Sequence, residues 1–206
     1  MTGNNEVRVG GLLLAAGGSS RLGTPKQLVI FQGKTLLRRA AETLTESECE
    51  PVIVVLGAEV EMSSTELSGL PVKVCVNENW RTGMSSSIKT GLNALLNIEP
   101  DLDAVMITLC DQPDVTTENI NAFVAEFRGS QTQIVAAEYE NIAGVPALFS
   151  RELFGKLLDL TGDKGARELI RQSSEGVVKL PLKVAAIDID SIDDLNRLIP
   201  VEYPSE

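Results

Sequence analysis

Short apolar runs alternate with segments of helical periodicity along the first two thirds of the chain. Residues 7–16 are almost entirely apolar, which is typical of a strand buried on both faces of a parallel sheet. After Thr35, a candidate helix N-cap, apolar residues recur at three- and four-residue spacing. The same alternation predicts strands over residues 51–56, 72–76 and 104–109, and helices over residues 58–68 and after the serines at 85–87.

The last third of the chain is less regular. Its pattern predicts strands over residues 133–139 and 145–149, helical structure over 150–172 and a closing strand over 184–189. Alternating strands and helices predict a single α/β domain, residues 1–206, with an open, doubly wound and mostly parallel sheet of Rossmann-like type. We expect a mixed sheet edge in the C-terminal third.

Composition excludes several classes of function. The chain has 18 Lys and Arg against 29 Asp and Glu, a net charge of −11, which disfavours binding to nucleic acid or anionic membranes. The absence of histidine excludes Ser-His-Asp and Cys-His catalysis and histidine-bound zinc. Without a secretory signal or a membrane-length apolar run, and with three widely separated cysteines, we expect a cytoplasmic protein with reduced thiols.

The loop after the first predicted strand combines glycines, hydroxyl groups and cations. The glycines permit backbone conformations that turn successive amide groups toward one concavity. Such a loop can be a tight connection without a ligand, but its composition predicts a binding site for phosphate. The residues concerned are Gly17, Gly18, Ser19, Ser20, Arg21, Gly23 and Lys26.

Two common phosphate-binding motifs do not fit this loop. A P-loop needs lysine where Thr24 stands, and Pro25 removes an amide from the following turn. The spacing of the loop glycines also differs from the Gly-x-Gly-x-x-Gly fingerprint of dinucleotide-binding proteins. A P-loop NTPase and a nicotinamide dehydrogenase are therefore disfavoured.

Carboxylates accompany two of the predicted strands. Asp111 follows the strand at 104–109, where it can serve as a helix cap or as a metal ligand. Asp188 and Asp190 are two residues apart and would share one face of the strand at 184–189. Mg²⁺ beside phosphates usually takes one or two carboxylates. We expect Asp111 to bind Mg²⁺, with Asp190 favoured over Asp188 as the second ligand because it ends the strand.

These segments together resemble the nucleotidyltransferases that mature the molybdenum cofactor, particularly their cytidylyltransferase branch. The resemblance spans nearly the whole chain. Its first motif is Leu14-Ala15-Ala16-Gly17-x-Ser19-x-Arg21-x-Gly23-x-Pro25-Lys26-Gln27-Leu28. Residues 83–87, 111–113, 144–146, 162–167 and 188–190 then match further motifs in the family's order.

The resemblance implies a Mg²⁺-dependent enzyme that transfers CMP from CTP to the terminal phosphate of molybdopterin, releases pyrophosphate and supplies a molybdoenzyme. Residues 7–115 would form the nucleotide-binding part, and residues 116–200 the acceptor-binding and closing part. Catalytic roles fall on Arg21, Lys26 and Asp111, and metal binding falls on Asp111 and Asp190. The nucleotide would contact Leu14, Ala15, Ala16, Gly17, Gly18, Ser19, Ser20, Arg21, Gly23, Lys26, Ser85, Ser86 and Asp111. The acceptor would contact Gln112, Gly144, Pro146, Asp163, Lys164 and Arg167.

Two residues depart from the family pattern. Cys110 stands where many relatives have glycine, and Gly18 stands where the cytidylyltransferase branch commonly has arginine. The guanylyltransferase branch usually has Leu-Ala-Gly-Gly, so residues 14–18 match neither branch fully. Three alternatives therefore stay open: use of GTP, another phosphate acceptor, or a non-catalytic carrier that delivers the cofactor to a molybdoenzyme.

Overall fold

The computed structural model describes residues 7–18, 25–130, 132–173, 176–189 and 194. Its strands are β1 (Val9–Ala15), β2 (Ile30–Phe31), β3 (Lys34–Thr35), β4 (Val52–Leu56), β5 (Val72–Val76), β6 (Ala104–Leu109), β7 (Ile134–Tyr139), β8 (Ile142–Ser150) and β9 (Val177–Pro181). Its α-helices are α1 (Leu36–Thr45), α2 (Val60–Glu66), α3 (Met84–Ile98), α4 (Thr117–Gly129), α5 (Phe154–Leu158) and α6 (Ala166–Gln172). Short 3₁₀ helices cover Lys26–Leu28, Trp80–Thr82, Arg151–Leu153 and Lys183–Ala186.

Seven of the strands form one sheet in the order β5-β4-β1-β6-β8-β7-β9. β1 pairs in parallel with β4 and β6, and β7 pairs in parallel with β9. β8 runs antiparallel to both of its neighbours, β6 and β7. The predicted mostly parallel α/β sheet with a mixed edge in the C-terminal third is confirmed.

Helices cover both faces of this sheet. All seven residues of β1 are buried, as expected for a strand with apolar packing on each side. Leu37 of α1 and Phe123 of α4 pack on one face, and Ile88 of α3 and Leu169 of α6 pack on the other. The core therefore has two layers of side chains, separated by the sheet.

Local sequence signals explain where two helices begin. Thr35 caps α1 as predicted, because its side chain accepts a hydrogen bond from the Arg38 amide. Helix α4 was not predicted, although it begins at a capping box. There the Thr116 hydroxyl accepts from the Asn119 amide, and the Asn119 side chain accepts from the Thr116 amide.

The structure corrects the predicted elements of the last third. The predicted strand over residues 184–189 is wrong: the closing strand is β9, and Lys183–Ala186 forms a 3₁₀ turn. Asp188 consequently does not lie in a strand, and the argument from a shared strand face fails. The helical structure predicted over 150–172 is interrupted between α5 and α6, where Gly162 has a φ of 61°.

Within the described ranges, no helix combines the length and the apolar character needed to cross a membrane.

Candidate active site

A cleft of about 600 Å³ opens at the carboxyl edge of the sheet. It lies where β1 ends, between β4 on one side and β6 on the other. After β1 the chain continues to β4, the neighbour of β1 on one side, whereas β6, the neighbour on the other side, is added later in the chain. Open α/β sheets bind ligands at the point where the strand order reverses in this way. The lining residues are Leu14, Ala15, Ala16, Gly17, Gly18, Lys26, Gln27, Trp80, Arg81, Gly83, Met84, Ser87, Leu109, Cys110, Asp111 and Asp163.

A lysine and an aspartate from distant parts of the chain meet in this cleft. Lys26 begins the 3₁₀ turn Lys26–Leu28, and Asp111 follows β6 by two residues. Lys26 Nζ donates to Asp111 Oδ2 over 2.5 Å, and the two side chains are only 15% and 20% exposed. Gln27 is buried behind them and its amide nitrogen donates to the Ala58 carbonyl, which anchors the turn that carries Lys26.

The two carboxylate oxygens of Asp111 differ in their contacts, since only Oδ2 accepts a hydrogen bond from Lys26. Asp111 Oδ1 is buried and has no hydrogen-bond partner among the described residues. An unpartnered buried carboxylate oxygen is costly unless a cation or a donor satisfies it. A hard divalent cation prefers such an oxygen ligand. Asp111 is therefore suited to bind a metal ion in the cleft.

Two glycines, Gly18 in the wall of the cleft and Gly57 after β4, make space for Trp80. A Cβ at Gly18 would lie 2.8 Å from Trp80 Cη2, and one at Gly57 would lie 2.7 Å from Trp80 Cγ. The Arg81 guanidinium lies 4.4 Å from the centre of the indole ring, within the range of a cation–π interaction. Sequence reasoning missed Trp80 and Arg81, although the chain's single tryptophan just before the motif at 83–87 was an available signal.

The serines at the start of α3 do not all face the cleft. Ser87 lines it, whereas the predicted Ser85 and Ser86 do not appear among the lining residues of the described chain. Asn77 Nδ2 donates to Ser86 Oγ and Ser87 Oγ over 2.8 and 2.9 Å. The Ser85 amide donates to the Gly162 carbonyl over 3.2 Å, which fastens α3 to the segment before α6.

Three predicted acceptor residues contact other parts of the protein and do not line the cleft. Gln112 is buried and its Nε2 donates to Val145 O and Ala185 O over 3.1 and 2.8 Å. Pro146 lies beside Gln112 in a small internal cavity. Gly144 packs against Tyr139, whose hydroxyl oxygen would be 2.4 Å from a Cβ at position 144. These residues support the edge of the cleft rather than line it.

The other three predicted acceptor residues lie at the surface. Asp163 lines the cleft and also a second depression of about 680 Å³. Lys164, Arg167 and Arg171 line that depression beside the carboxylates of Asp163 and Glu168. Arg171 is paired with Glu168, so Lys164 and Arg167 are the cations of the depression outside that ion pair. Asp163 therefore joins the cleft to a surface that is suited to an anionic group.

Several predicted site residues fall outside the described residues. These are Ser19, Ser20, Arg21, Gly23 and Asp190. Their predicted roles in phosphate and metal binding stay predictions. Among the described residues, no group of three or more His, Cys, Asp or Glu side chains is arranged to hold a metal ion.

Burial and nearby charge shift the pKa of two groups at this edge of the sheet. Burial raises the pKa of the Cys110 thiol to about 12, and the Asp111 carboxylate adds to the rise. Burial also raises the pKa of Tyr139, with further contributions from the carboxylates of Asp188, Asp111 and Glu140 and an opposing one from Arg167. Both groups therefore keep their protons at neutral pH.

Comparison with named proteins identifies relatives over nearly the full length. The chain is 29% identical to nicotine blue oxidoreductase of Paenarthrobacter nicotinovorans, covering 93% of this chain and 96% of that protein. It is 26% identical to the purine catabolism protein PucB of Bacillus subtilis, covering 94% and 93%. A probable molybdenum cofactor guanylyltransferase of Bacillus cereus is 28% identical over 64% of this chain and 68% of its own.

Solved structures share the fold. An Rv0371c homologue from Mycobacterium sp. strain JC1 is 35% identical, covers 93% of this chain and 94% of its own, and has a TM-score of 0.77. Rv0371c of Mycobacterium tuberculosis in complex with manganese is 26% identical, covers 95% and 100%, and has a TM-score of 0.75. A homologue of this protein thus binds a divalent metal.

The family profile of the MobA-like NTP transferase domain matches residues 11–177, which include the cleft, Lys26 and Asp111. The chain therefore belongs to the family of MobA-like NTP transferase domains.

Proposed function

We propose that this protein transfers the CMP group of CTP to the terminal phosphate of molybdopterin and releases pyrophosphate. The observation that carries the proposal is the pair formed by Lys26 and Asp111 in the cleft, with Asp111 Oδ1 left without a partner among the described residues. The pair offers one group for phosphate and one for a metal ion. Nucleotidyl transfer from a triphosphate needs both.

The nucleotide would bind along the end of β1. Ala15, Ala16 and Gly17 line the cleft together with Trp80 and Ser87. A cleft of about 600 Å³ is within the usual size range of ligand pockets. We assign the triphosphate to the loop that follows Gly18, through Ser19, Ser20, Arg21 and Gly23, as the family resemblance implies.

Asp111 would hold Mg²⁺, with Asp190 as the second protein ligand. The buried and unpartnered Asp111 Oδ1 fits such an ion, and the manganese complex of a relative supports a divalent metal. A bound Mg²⁺ supplies charge neutralisation at the phosphates.

Lys26 would stabilise the charge that develops during transfer. Its Nζ lies beside Asp111 Oδ2, so a phosphate that binds near the metal ligand is also within reach of the ammonium group. An acceptor phosphate is anionic near neutral pH and can attack the α-phosphorus without a general base. A chain without histidine is consistent with this reaction, because positioning and preorganised charge suffice.

The acceptor would lie on the side of Asp163. Lys164 and Arg167 line the depression that adjoins the cleft there, and their charges suit a phosphate-bearing acceptor. The relative named a probable molybdenum cofactor guanylyltransferase supports molybdopterin as the acceptor. It also keeps GTP as the alternative nucleotide, since Gly18 does not match the arginine of the cytidylyltransferase branch.

The decisive experiment measures pyrophosphate release. The purified protein is incubated with Mg²⁺, molybdopterin and each nucleoside triphosphate in turn, and we expect release with CTP. Release with GTP but not with CTP would show that GTP is the nucleotide substrate. Release only with another phosphate compound would show that molybdopterin is not the acceptor. Tight binding of molybdopterin without release would instead support a carrier.

Nucleotide choice can be tested without the acceptor. A ligand that binds the folded state raises the melting temperature, and at equal concentration the tighter ligand gives the larger rise. With Mg²⁺ present, we expect a larger rise with CTP than with GTP at equal concentration. The reverse order would contradict the assignment of CTP.

A redox reaction is a second candidate, because the relative from Paenarthrobacter nicotinovorans is named an oxidoreductase and matches over nearly its whole length. The loop glycines of this chain lack the dinucleotide-binding spacing, which weighs against a nicotinamide cofactor. Binding of NADH or NADPH would be measured by the same melting assay. A rise larger than that given by any nucleoside triphosphate would favour the redox candidate.

A further inference from the structure

Residues 111–113, which we call the Asp111 loop, are held at both ends by hydrogen bonds from other parts of the chain. The Asp111 carbonyl accepts from the Ile189 amide over 3.1 Å. The Pro113 carbonyl accepts from Arg39 Nε over 2.6 Å. Arg39 belongs to α1, so its hydrogen bond joins the Asp111 loop to the helix that follows the hairpin of β2 and β3.

Arg39 also contacts the segment that carries Lys26. Its guanidinium carbon lies 5.5 Å from the centre of the Phe31 ring, within the range of a cation–π interaction. Phe31 ends β2, which follows the turn with Lys26. Its side chain is buried in an apolar cluster whose other members are Val29, Leu36 and Ile189. Because the Ile189 amide donates to Asp111, this cluster and Arg39 together support both ends of the Asp111 loop.

Backbone hydrogen bonds connect α1 to the turn with Lys26. The Val29 amide donates to the Lys26 carbonyl over 3.1 Å, and the Leu36 amide donates to the Val29 carbonyl over 2.9 Å. Leu36 is the first residue of α1. Helix α1 is therefore bonded to the Lys26 segment at its first residue and to the Asp111 loop through Arg39. These are the two segments whose side chains form the ion pair in the cleft.

Arg39 is suited to a permanent structural contact with the Asp111 loop. A guanidinium keeps its charge at every accessible pH, and a hydrogen bond from a charged donor is stronger than one between neutral groups. Arg39 is partly buried, and it is not one of the described residues that line the cleft. It can therefore act on the site through the loop without contacting a ligand.

We propose that Arg39 is a positioning residue that holds the Asp111 loop against the segment carrying Lys26. It would thereby set the separation of the two groups in the ion pair and the direction of Asp111 Oδ1. Groups that orient a metal ligand typically contribute about 10- to 100-fold to metal affinity or activity. Only the effect of Arg39 on metal binding and turnover rests on the proposed function, and the position of the loop can be measured separately.

The test compares Arg39→Met with Arg38→Met, since methionine keeps a helix propensity close to that of arginine. Arg38 is the preceding residue of α1 and makes at least as many hydrogen bonds, but its partners lie away from the cleft. These partners are the Glu42 carboxylate and the carbonyls of Glu66 and Ser68. Arg38→Met thus controls for the general loss of a bonded guanidinium on the same helix.

The first measurement is amide hydrogen exchange by NMR on the full-length protein, without metal or nucleotide. The Ile189 amide reports on its hydrogen bond to Asp111, and the Leu13 amide in the buried strand β1 reports on global opening. We expect Arg39→Met to raise the ratio of the Ile189 rate to the Leu13 rate by roughly 10-fold. A general loss of stability would accelerate both amides and leave the ratio unchanged. In Arg38→Met the ratio should change by less than about 2-fold.

The second measurement is binding of Mn²⁺, followed by the electron paramagnetic resonance of the free ion. We expect Arg39→Met to raise the Kd for Mn²⁺ by roughly 10-fold and Arg38→Met to raise it by less than about 2-fold. Arg39→Lys keeps a cationic donor but not the planar guanidinium, so its Kd and exchange ratio should lie between those of wild type and Arg39→Met. If Arg39→Met does not fold, Arg39→Lys is the variant compared with Arg38→Met.

An unchanged exchange ratio in the Arg39 variant, or the same change in both arginine variants, would overturn the inference. If the ratio rises but the wild-type protein binds no Mn²⁺, the metal assignment of Asp111 fails and the positioning role stands. If the ratio and the Kd both change as expected but pyrophosphate is never released, only the proposed function fails. If turnover occurs and the ratio is unchanged, only the inference fails.

Discussion

Lys26 Nζ and Asp111 Oδ2 form a hydrogen-bonded ion pair at 2.5 Å, although 85 residues separate them along the chain. The pair joins the turn after the first loop to the end of β6. In the proposed reaction Lys26 would contact a phosphate, and Asp111 would bind the metal ion through its other oxygen, Oδ1. The pair thus holds both groups in position and limits the cost of partly buried charge before substrates bind.

We expect Lys26→Met and Asp111→Asn each to lower the rate of pyrophosphate release by roughly 100- to 1000-fold, since each removes a preorganised charge at the reacting phosphates. Circular dichroism should show an unchanged fold. The double variant should lose little more than the worse single variant, because the two residues act as one unit.

Lys34→Met is the matched control for the lysine. Lys34 Nζ also lies 2.5 Å from a carboxylate, that of Glu42, but this pair is away from the cleft. We expect Lys34→Met to release pyrophosphate at the wild-type rate. A similar loss in both lysine variants would mean that removal of any such ion pair disturbs the enzyme, and the catalytic assignment of Lys26 would fail.

Metal dependence should be linked to Asp111. In the wild-type protein we expect Mg²⁺ to enlarge the rise in melting temperature produced by CTP, because metal and triphosphate bind together. Removal of divalent metal with a chelator should reduce the rise. In Asp111→Asn the Mg²⁺-dependent part of the rise should disappear, and its persistence would exclude Asp111 as a metal ligand.

The two neighbouring glycines at the start of the loop after β1, Gly17 and Gly18, should respond differently to substitution by alanine. Gly18→Ala places a methyl group 2.8 Å from the Trp80 ring, whereas a Cβ at Gly17 meets no atom within 4 Å. We expect Gly18→Ala to lower the free energy of unfolding by roughly 1–3 kcal/mol, measured by urea denaturation. Gly17→Ala should have a much smaller effect, and equal losses would contradict the packing against Trp80.

Alkaline pH should destabilise the fold partly through Cys110. Its pKa rises from 9.0 to about 12 on folding, so the unfolded chain loses this proton first as pH increases. The folded state then binds more protons, and the free energy of unfolding falls between pH 9 and pH 12. Cys110→Ala should show a shallower fall over that interval. An unchanged slope would mean that the thiol does not contribute.

Much of the fold is encoded in local patterns. The apolar run at residues 7–16 predicted a strand with helices on both faces, and Thr35 marked the start of α1 through a hydrogen bond within one helical turn. The cleft followed from topology, since the ends of β1 and β6 are neighbours in the sheet. Lys26 and Asp111 could therefore be placed at the same edge from the sequence.

Other features depend on partners far away in the chain. Residues 184–189 have the apolar character of a strand, but the Ala185 carbonyl accepts from buried Gln112 instead of a neighbouring strand. The same contact buries Gln112, which no local pattern reveals, and its acceptor role stays a prediction. The placement of Trp80 depends on two glycines, Gly18 and Gly57, whose contact with the ring no local pattern reveals.

Trp80 also provides an intrinsic fluorescence probe of the cleft. It is the single tryptophan of the chain and lines the cleft beneath the Arg81 guanidinium, so all indole fluorescence originates at the proposed nucleotide site. A nucleotide that enters the cleft or moves Arg81 should change the intensity of that emission. The affinity for each triphosphate could then be titrated on the unlabelled wild-type chain.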